Sequence, residues 1–386
     1  LGEATHGTRE FFQMKHRVLE FRVEEMDFNL FGIEASWPEA NRLNDYVLTG
    51  EGDPEVLLSG LYFWTWNTQE VLDMIEWMRV HNQNAGDNST VSFLGFDMQF
   101  PGMAIHNVLE FLRAVDPPAA EEAEDQYGCM QPYSNGPAGF LSGRERYREQ
   151  PKAFRDDCLA DLLAVQELLR SNQGEYEAAS TLQEYAKTQR SARLVIQYED
   201  SESGRTPGAR DLYMAENAIW LHDQAGPGSK IVLWAHNGHV ANNPTYGYGE
   251  SMGWHLRRHY ANDMVIVGFD FYQGGFRAVT RLGDGSYSAL ENHSVGIPPS
   301  ESYEFYFDLA GMDRMILDVG EVDLSTPATS WLAGPRLMRS IGSVYSPASP
   351  GAYLTSLSIP ARYDLIIYFH NTSAAVGLPY NPPASW

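Results

Sequence analysis

An α/β fold, built as a mostly parallel sheet with flanking helices and an inserted helical cap, is what this 386-residue chain predicts. Three observations lead there. Short apolar runs at residues 30–35, 91–99, 231–239 and 265–270 end in polar, hydrogen-bonding residues, as buried parallel strands do at the edge where ligands bind. Helical patterns lie between those runs. One long stretch carries three helical patterns in succession with no strand among them, which is how an insertion reads.

Taken in order, Phe11, Met14, Val18 and Phe21 recur at helical spacing, so a first helix begins near Thr8. Asn67, Thr68, Gln69 and Glu70 have the spacing of a capping box, and the helix behind them carries Val71, Ile75 and Met78 on one stripe. From Asp116 to Gly143 the prolines, glycines and acidic residues predict a long loop or linker. Residues 154–171, 176–198 and 209–224 predict three helices, a plausible wall for a cleft. After Gly226, Pro227 and Gly228 the sheet resumes, and residues 264–281 predict a hairpin turning at Gly274 and Gly275. Strand-like runs follow at 303–309, 315–319 and 365–369. Length alone allows two to three domains, while a sheet with an insertion is equally one unit. The division expected is an α/β core at 1–115, a helical insertion or cap at 116–225, and the rest of the core at 226–386.

In a parallel sheet all strand ends face one way, so Glu34, Asp97, His236 and His239 should meet His6 in one crevice. Glu3 and His6 sit where the chain enters the first helix, and capping is the bland alternative for both. A histidine whose other ring nitrogen is held by Glu34 or Glu3 suits water activation. His236 and His239 flank the tight-turn pair Asn237 and Gly238, so both rings can point into one cleft as donors or as a proton relay. Trp37, Trp64 and Trp66 follow a proposed strand end and are candidates for an aromatic substrate lining, with core packing as the competing explanation.

Six motifs in order, Gly2–Gly7, Gly32–Ala35, Phe63–Trp66, Gly95–Met98, Met214–Asn217 and Trp234–His239, together resemble the erythromycin esterase family. The likeness runs from Leu1 to about Arg281. It implies ester hydrolysis, best known on the lactone of a macrolide antibiotic. It further implies that His6 activates water with Glu3, Glu34, Arg210, His236 and His239 around it, Arg210 by its place ahead of Met214. Family members usually carry a further segment before this point, ending in a strand whose last residues would be Leu1 and Gly2.

Composition bounds the rest. Twenty-seven Lys and Arg against 51 Asp and Glu give a net charge of −24, which repels phosphate backbones and anionic membranes. The expected partner is a small-molecule ester or lactone, with neither nucleic acid nor membrane, and the oligomeric state is open. Cys129 and Cys158 lack CxxC spacing, which excludes a structural zinc site and leaves a disulfide open. No apolar run is long enough to span a bilayer. A cytoplasmic location is expected, with secretion left open by an abrupt start at Leu1. No cofactor and no metal are expected.

Three alternatives stay open. The three histidines and two glutamates make a credible zinc or manganese shell, although no HExxH spacing supports it. Gly249 to Gly253 matches the GxSxG nucleophile elbow around Ser251, with Asp270 and His293 or His370 as partners in chain order, but a loop precedes it where a strand is required. A binding or biosynthetic protein could use the cleft for proton transfer without hydrolysis. The sequons at Asn88, Asn292 and Asn371 carry no argument.

Overall fold

The computed structural model describes residues 1–86, 90–134, 146–247 and 249–380. Helix α1 (Arg9–Met26) follows Thr8 and ends at Asp27, which adopts a left-handed conformation. Strand β1 (Leu30–Ser36) is buried along its whole length. Helices α2 (Trp37–Thr49), α3 (Pro54–Ser59) and α4 (Gln69–Asn84) lead to β2 (Ser92–Asp97) and α5 (Gly102–Val115). After further helices, among them Pro117–Tyr127, Lys152–Ser171, Gln173–Ala179 and Leu182–Ser203, helix Ala209–Gln224 returns the chain to the sheet.

Strand β3 (Ile231–Trp234) pairs in parallel with β1, as β2 does on the other side, giving a three-stranded sheet in the order β2-β1-β3. The second sheet is not of that kind. Strand β4 (Val267–Arg281) pairs antiparallel with β5 (Tyr287–Val295). On its other edge β4 runs parallel to β10 (Leu365–Thr372), which is antiparallel to β6 (Arg314–Asp318). Strands β7 (Arg336–Arg339) and β9 (Leu354–Leu357) form a small antiparallel pair, and β8 (Val344–Tyr345) pads β4. The α/β class holds, but the expected mostly parallel sheet is corrected to a parallel sheet beside a mixed one. The reason is that β4 turns back into β5 through a hairpin and β10 returns antiparallel to β6, while β4 and β10 keep one direction.

Residues 1–3 lie between the two sheets. Leu1 O accepts from Ala235 N at 3.2 Å, Asn237 N donates to Glu3 O at 2.9 Å, and Gly2 N donates to Val267 O at 2.7 Å. Helix α1 covers this seam. Phe11 packs on Phe269, Phe271 and Phe369 of the second sheet, and Phe12 on Trp234 of the first. Each fully buried phenylalanine contributes about 1.5–3 kcal/mol, which fixes the helix and the turn ahead of it.

Several expectations for individual elements change. The buried face of α1 is Phe11, Phe12, Lys15, Leu19 and Val23, rotated from the predicted stripe, and Phe21 is 55% exposed. Rotation follows from burying Lys15 against a carboxylate. The cap of α4 is Thr68 rather than Asn67, accepting from Val71 N. The predicted linker from 116 contains helix Pro117–Tyr127, capped by Asp116 and started by proline, which suits a first helical turn; residues 135–143 of that expectation, and Asn88 and Ser89, lie outside the described residues. The expected helix at 176–198 is two, parted at Ser180. No turn occurs at Gly274. Strand β4 runs straight through it at φ 130°, where a Cβ would lie 2.3 Å from Thr372 O, and the hairpin turns at 282–286 instead. The run at 303–309 is a helix (Tyr303–Asp308), capped by Ser302. Cys129 and Cys158 form a disulfide. Among the described residues no helix is long and apolar enough to cross a membrane.

Candidate active site

The ends of β1, β2 and β3 bring together Glu34, Asp97 and His236, and the turn before α1 brings Glu3 and His6. His6 Nδ1 is 2.7 Å from Glu3 Oε1. Glu3 is fully buried, and its other oxygen accepts from Lys15 Nζ and, at 2.7 Å, from Trp234 Nε1. With Glu3 held as an acceptor, the Nδ1 proton of His6 stays on the Glu3 side and Nε2 is left as the basic nitrogen.

His236 follows β3 and stacks obliquely on His6, with ring centroids 5.0 Å apart. Its Nδ1 accepts from Gly238 N at 3.1 Å. That assigns the proton to Nε2, which is buried and has no hydrogen-bond partner among the described residues. The Ile341 backbone lies near but outside bonding geometry. Burial, with His6 and His239 close by, holds the pKa of His236 well below its ordinary 6.5, so the ring is neutral. A neutral imidazole whose N–H has no partner, beside a second imidazole, is an available hydrogen-bond donor.

Glu34 works differently. Its Oε2 accepts from His236 N at 3.0 Å and its Oε1 from Arg210 Nη2 at 2.7 Å. Burial favours the neutral acid, but His239, Arg210 and His6 outweigh it and hold the carboxyl well below the usual range. Arg210 opens helix Ala209–Gln224 and also grips Asp97, through Nη2 at 2.7 Å and Nε at 3.3 Å. His239 Nδ1 donates to Asp211 Oδ1 at 2.8 Å, while its Nε2 lies 3.2 Å from Arg210 Nη1 and 3.5 Å from Glu34 Oε1. Burial lowers the pKa of His239, but Asp211 and Glu34 raise it further, to a net increase. Tyr246 packs edge-on to His239 at 5.2 Å. Asn237 ties the whole turn to β4 by bonding both N and O of Phe269.

All six residues singled out as catalytic candidates thus lie in one cluster. The tryptophans do not behave alike. Trp66 is buried, donates Nε1 to Glu34 O at 3.0 Å and presents its ring to His6. Trp37 is buried against Trp220, and Trp64 is half-buried. Sequence reasoning missed Lys15, Asp211, Trp234 and Tyr246, and used Asp97 only as a strand end. A lysine four residues after Phe11 and four before Leu19, on the apolar face, was the available signal for Lys15.

The GxSxG serine is not a nucleophile elbow. Ser251 is fully buried and caps helix Met252–Tyr260, its Oγ donating to Ala241 O at 2.5 Å and accepting from Trp254 N at 3.2 Å. Its supposed partners are elsewhere: Asp270 faces Glu304, His293 bonds Thr280, and His370 pairs with Asp308. Among the described residues, no three His, Cys, Asp or Glu side chains are arranged to hold a metal ion. Each glutamate of the cluster already faces a cation, Lys15 or Arg210.

A sheet-end cluster of histidines and carboxylates, walled by helices on an α/β scaffold, defines the class. The sequence profile described as erythromycin esterase matches residues 23–372, and the chain belongs to that family. It is 23% identical over 359 residues to the hydrolase-named YbfO of Bacillus subtilis (strain 168), covering 87% of this chain and 77% of that protein. Identity to erythromycin esterase type II of Escherichia coli is 24% over 333 residues, or 79% and 76% of the two chains. Among solved structures, a Bacillus cereus protein superposes with a TM-score of 0.81 at 24% identity, covering 98% of this chain and 89% of that one. An erythromycin esterase variant in its open conformation superposes at 0.75 with 16% identity, covering 98% and 91%; these last two show the fold. Family membership and hydrolase-named relatives support a hydrolase.

Proposed function

We propose that this chain hydrolyses a carboxylic ester or lactone with water activated by His6. The observation that carries the reading is the Glu3–His6 contact of 2.7 Å, which leaves Nε2 as the base. In this mechanism Nε2 takes a proton from water as the oxygen attacks the carbonyl carbon. The oxyanion meets the free Nε2–H of His236, and the imidazolium of His6 then protonates the departing alkoxide, giving acid and alcohol. Arg210, engaged by Glu34 and Asp97, helps keep Glu34 ionised and the two histidine turns in register. Helices at 116–225 act as a cap, since Arg210 and Asp211 reach the cluster from there. Of the three tryptophans, half-buried Trp64 is the one with surface left for a substrate.

His6→Asn should lower turnover about 10²–10⁴-fold, measured on the best ester found by mass spectrometry of a lactone and linear-ester panel. A folded variant that keeps most of its activity would remove His6 as base. Gain of one water by the product separates hydrolysis from a proton-transfer or binding role. The metallohydrolase reading is tested by dialysis against a strong chelator. Activity should be unchanged, because a cation beside Arg210 and Lys15 is repelled; loss restored by one divalent metal would promote the metal reading. The Cys129–Cys158 bond favours an oxidising compartment over the cytoplasm expected from sequence.

A further inference from the structure

Tyr246 stands beside the histidine turn and takes no part in the reaction as proposed above. Its ring meets His239 edge-on, and a Cβ on Gly238 would lie 2.5 Å from its hydroxyl oxygen. The phenol end therefore rests against the backbone between His236 and His239. The loop that carries it is clasped on two sides. Tyr246 N donates to Gly249 O at 2.6 Å and Gly249 N to Tyr246 O at 3.1 Å, while at the base Asn243 N donates to Ser251 Oγ at 3.1 Å and Ser251 N to Asn243 O at 3.0 Å. Gly249 packs on Gly208, where a Cβ would lie 2.9 Å from Gly249 Cα, and Gly208 caps the helix that supplies Arg210 and Asp211. The loop thus runs from the histidine turn to the arginine helix.

The Tyr246 hydroxyl has no hydrogen-bond partner among the described residues, and the side chain is half-buried, which leaves it surface for a ligand. Other phenols of this chain that lie beside a carboxylate donate to it, Tyr213 to Asp200 and Tyr147 to Glu199, both at 2.6 Å. Tyr246 feels Asp211 and Glu34 without bonding either. Asp211 Oδ1 is taken by His239 and Met252 N, and the two oxygens of Glu34 by Arg210 and His236 N. Burial and these two carboxylates push the phenol's pKa up against Arg210, so it stays protonated and serves as a donor, not a base. Two carboxylates against one guanidinium also disfavour an anionic acceptor.

We propose that Tyr246 is a substrate-binding residue of this site, its hydroxyl donating to an uncharged oxygen of the substrate, whether carbonyl, ether or alcohol. The assignment rests on the cluster being the place where substrate binds, and one arm of its test needs no turnover.

The first arm is steady-state kinetics with methyl mandelate and p-nitrophenyl butyrate. Tyr246→Phe keeps the ring against His239 and deletes only the hydroxyl, so it should lower kcat/KM about three- to tenfold, mostly through KM, with the pH profile unchanged. Gly238→Ala pushes the phenol aside and should lower kcat/KM as well, and the double variant should be no worse than the weaker of the two single ones. The second arm is saturation-transfer NMR of methyl mandelate on the His6→Asn variant, where adding Tyr246→Phe should weaken binding by the same factor. If the parent turned over neither ester while Tyr246→Phe still weakened binding, the hydrolase reading would fall and Tyr246 would stand. The proposal is overturned if methyl mandelate does not saturate, if Tyr246→Phe binds it as the parent ring does, if the losses from Gly238→Ala and Tyr246→Phe multiply, or if Tyr246→Phe removes the alkaline limb of the pH profile, which would make the phenol a titrating base.

Discussion

Lys15 shows how one residue couples the core to the cluster. It is fully buried, lies 4.0 Å from the Trp234 ring centroid, and donates to Glu3. Burial lowers its pKa to about 8, with Glu3 and Glu34 opposing. Removing it strands a buried carboxylate. Lys15→Met should cost about 3–5 kcal/mol in urea unfolding and lower turnover through the tautomer of His6; an unchanged midpoint would mean that Glu3 finds another partner. Glu39, on α2, is the opposite case. Burial raises its carboxyl to about 8 against backbone hydrogen bonding and Arg42. The sign follows directly: between its unfolded pKa near 4.5 and about 8 the folded state holds a proton that the unfolded state has lost, so this group's stabilisation is present below that window and lost as pH rises through it. Glu39→Gln should therefore gain on the parent protein from pH 5 to pH 8 in thermal unfolding. A constant difference across that range would show Glu39 ionised throughout.

At the level of elements, the turn before α1 does the positioning. Gly7 sits so close to β4 that a Cβ would lie 2.3 Å from Arg277 O, and Arg277 N bonds Gly7 O at 3.0 Å. This contact seats the Glu3–His6 turn against the second sheet while β3 holds its other side. Gly7→Ala should force the two apart, costing about 1–3 kcal/mol and reducing turnover more than an equally destabilising change on the exposed face of α1. Equal losses in the two variants would make the contact purely structural. Strand β4 makes a related point. Its glycine pair serves close approach to β10 rather than a turn, because Gly274 lies against the Thr372 backbone.

For the molecule as a whole, the site is a junction. Carboxylates come from β1 and β2, His236 and His239 from the N-cap and body of the short helix after β3 (Asn237–Val240), Glu3 and His6 from the turn at the seam, and Arg210 from the helical segment. The helical segment carries its own brace, the Cys129–Cys158 bond across 29 residues. Loop closure of that length is worth about 3–4 kcal/mol in the unfolded chain. The Cys129→Ala, Cys158→Ala double variant should unfold earlier in urea by that order while retaining turnover; lost activity in a still-folded variant would place the brace in the cleft's geometry.

Sequence by itself determined the α/β class, the four apolar runs that became β1 to β4, and the meeting of His6, Glu34, Asp97, His236 and His239 at the strand ends, while Arg210 came only with the family resemblance. Those are local signals: period, strand-end polarity and recurring motifs survive without knowing the neighbours. Tertiary structure alone decided that the second sheet is mixed, that β4 passes Gly274 without turning, and that residues 303–308 coil into a helix. It also decided which glutamate holds His6, with Lys15 and Trp234 as its other partners, and that Ser251 is a helix cap. Several of these depend on contacts between residues distant in sequence, Gly274 with Thr372 and Glu3 with Trp234 among them. A period of two or of 3.6 fixes which face is apolar, whereas the partner that receives a charge or a backbone is fixed only when the chain is closed around it.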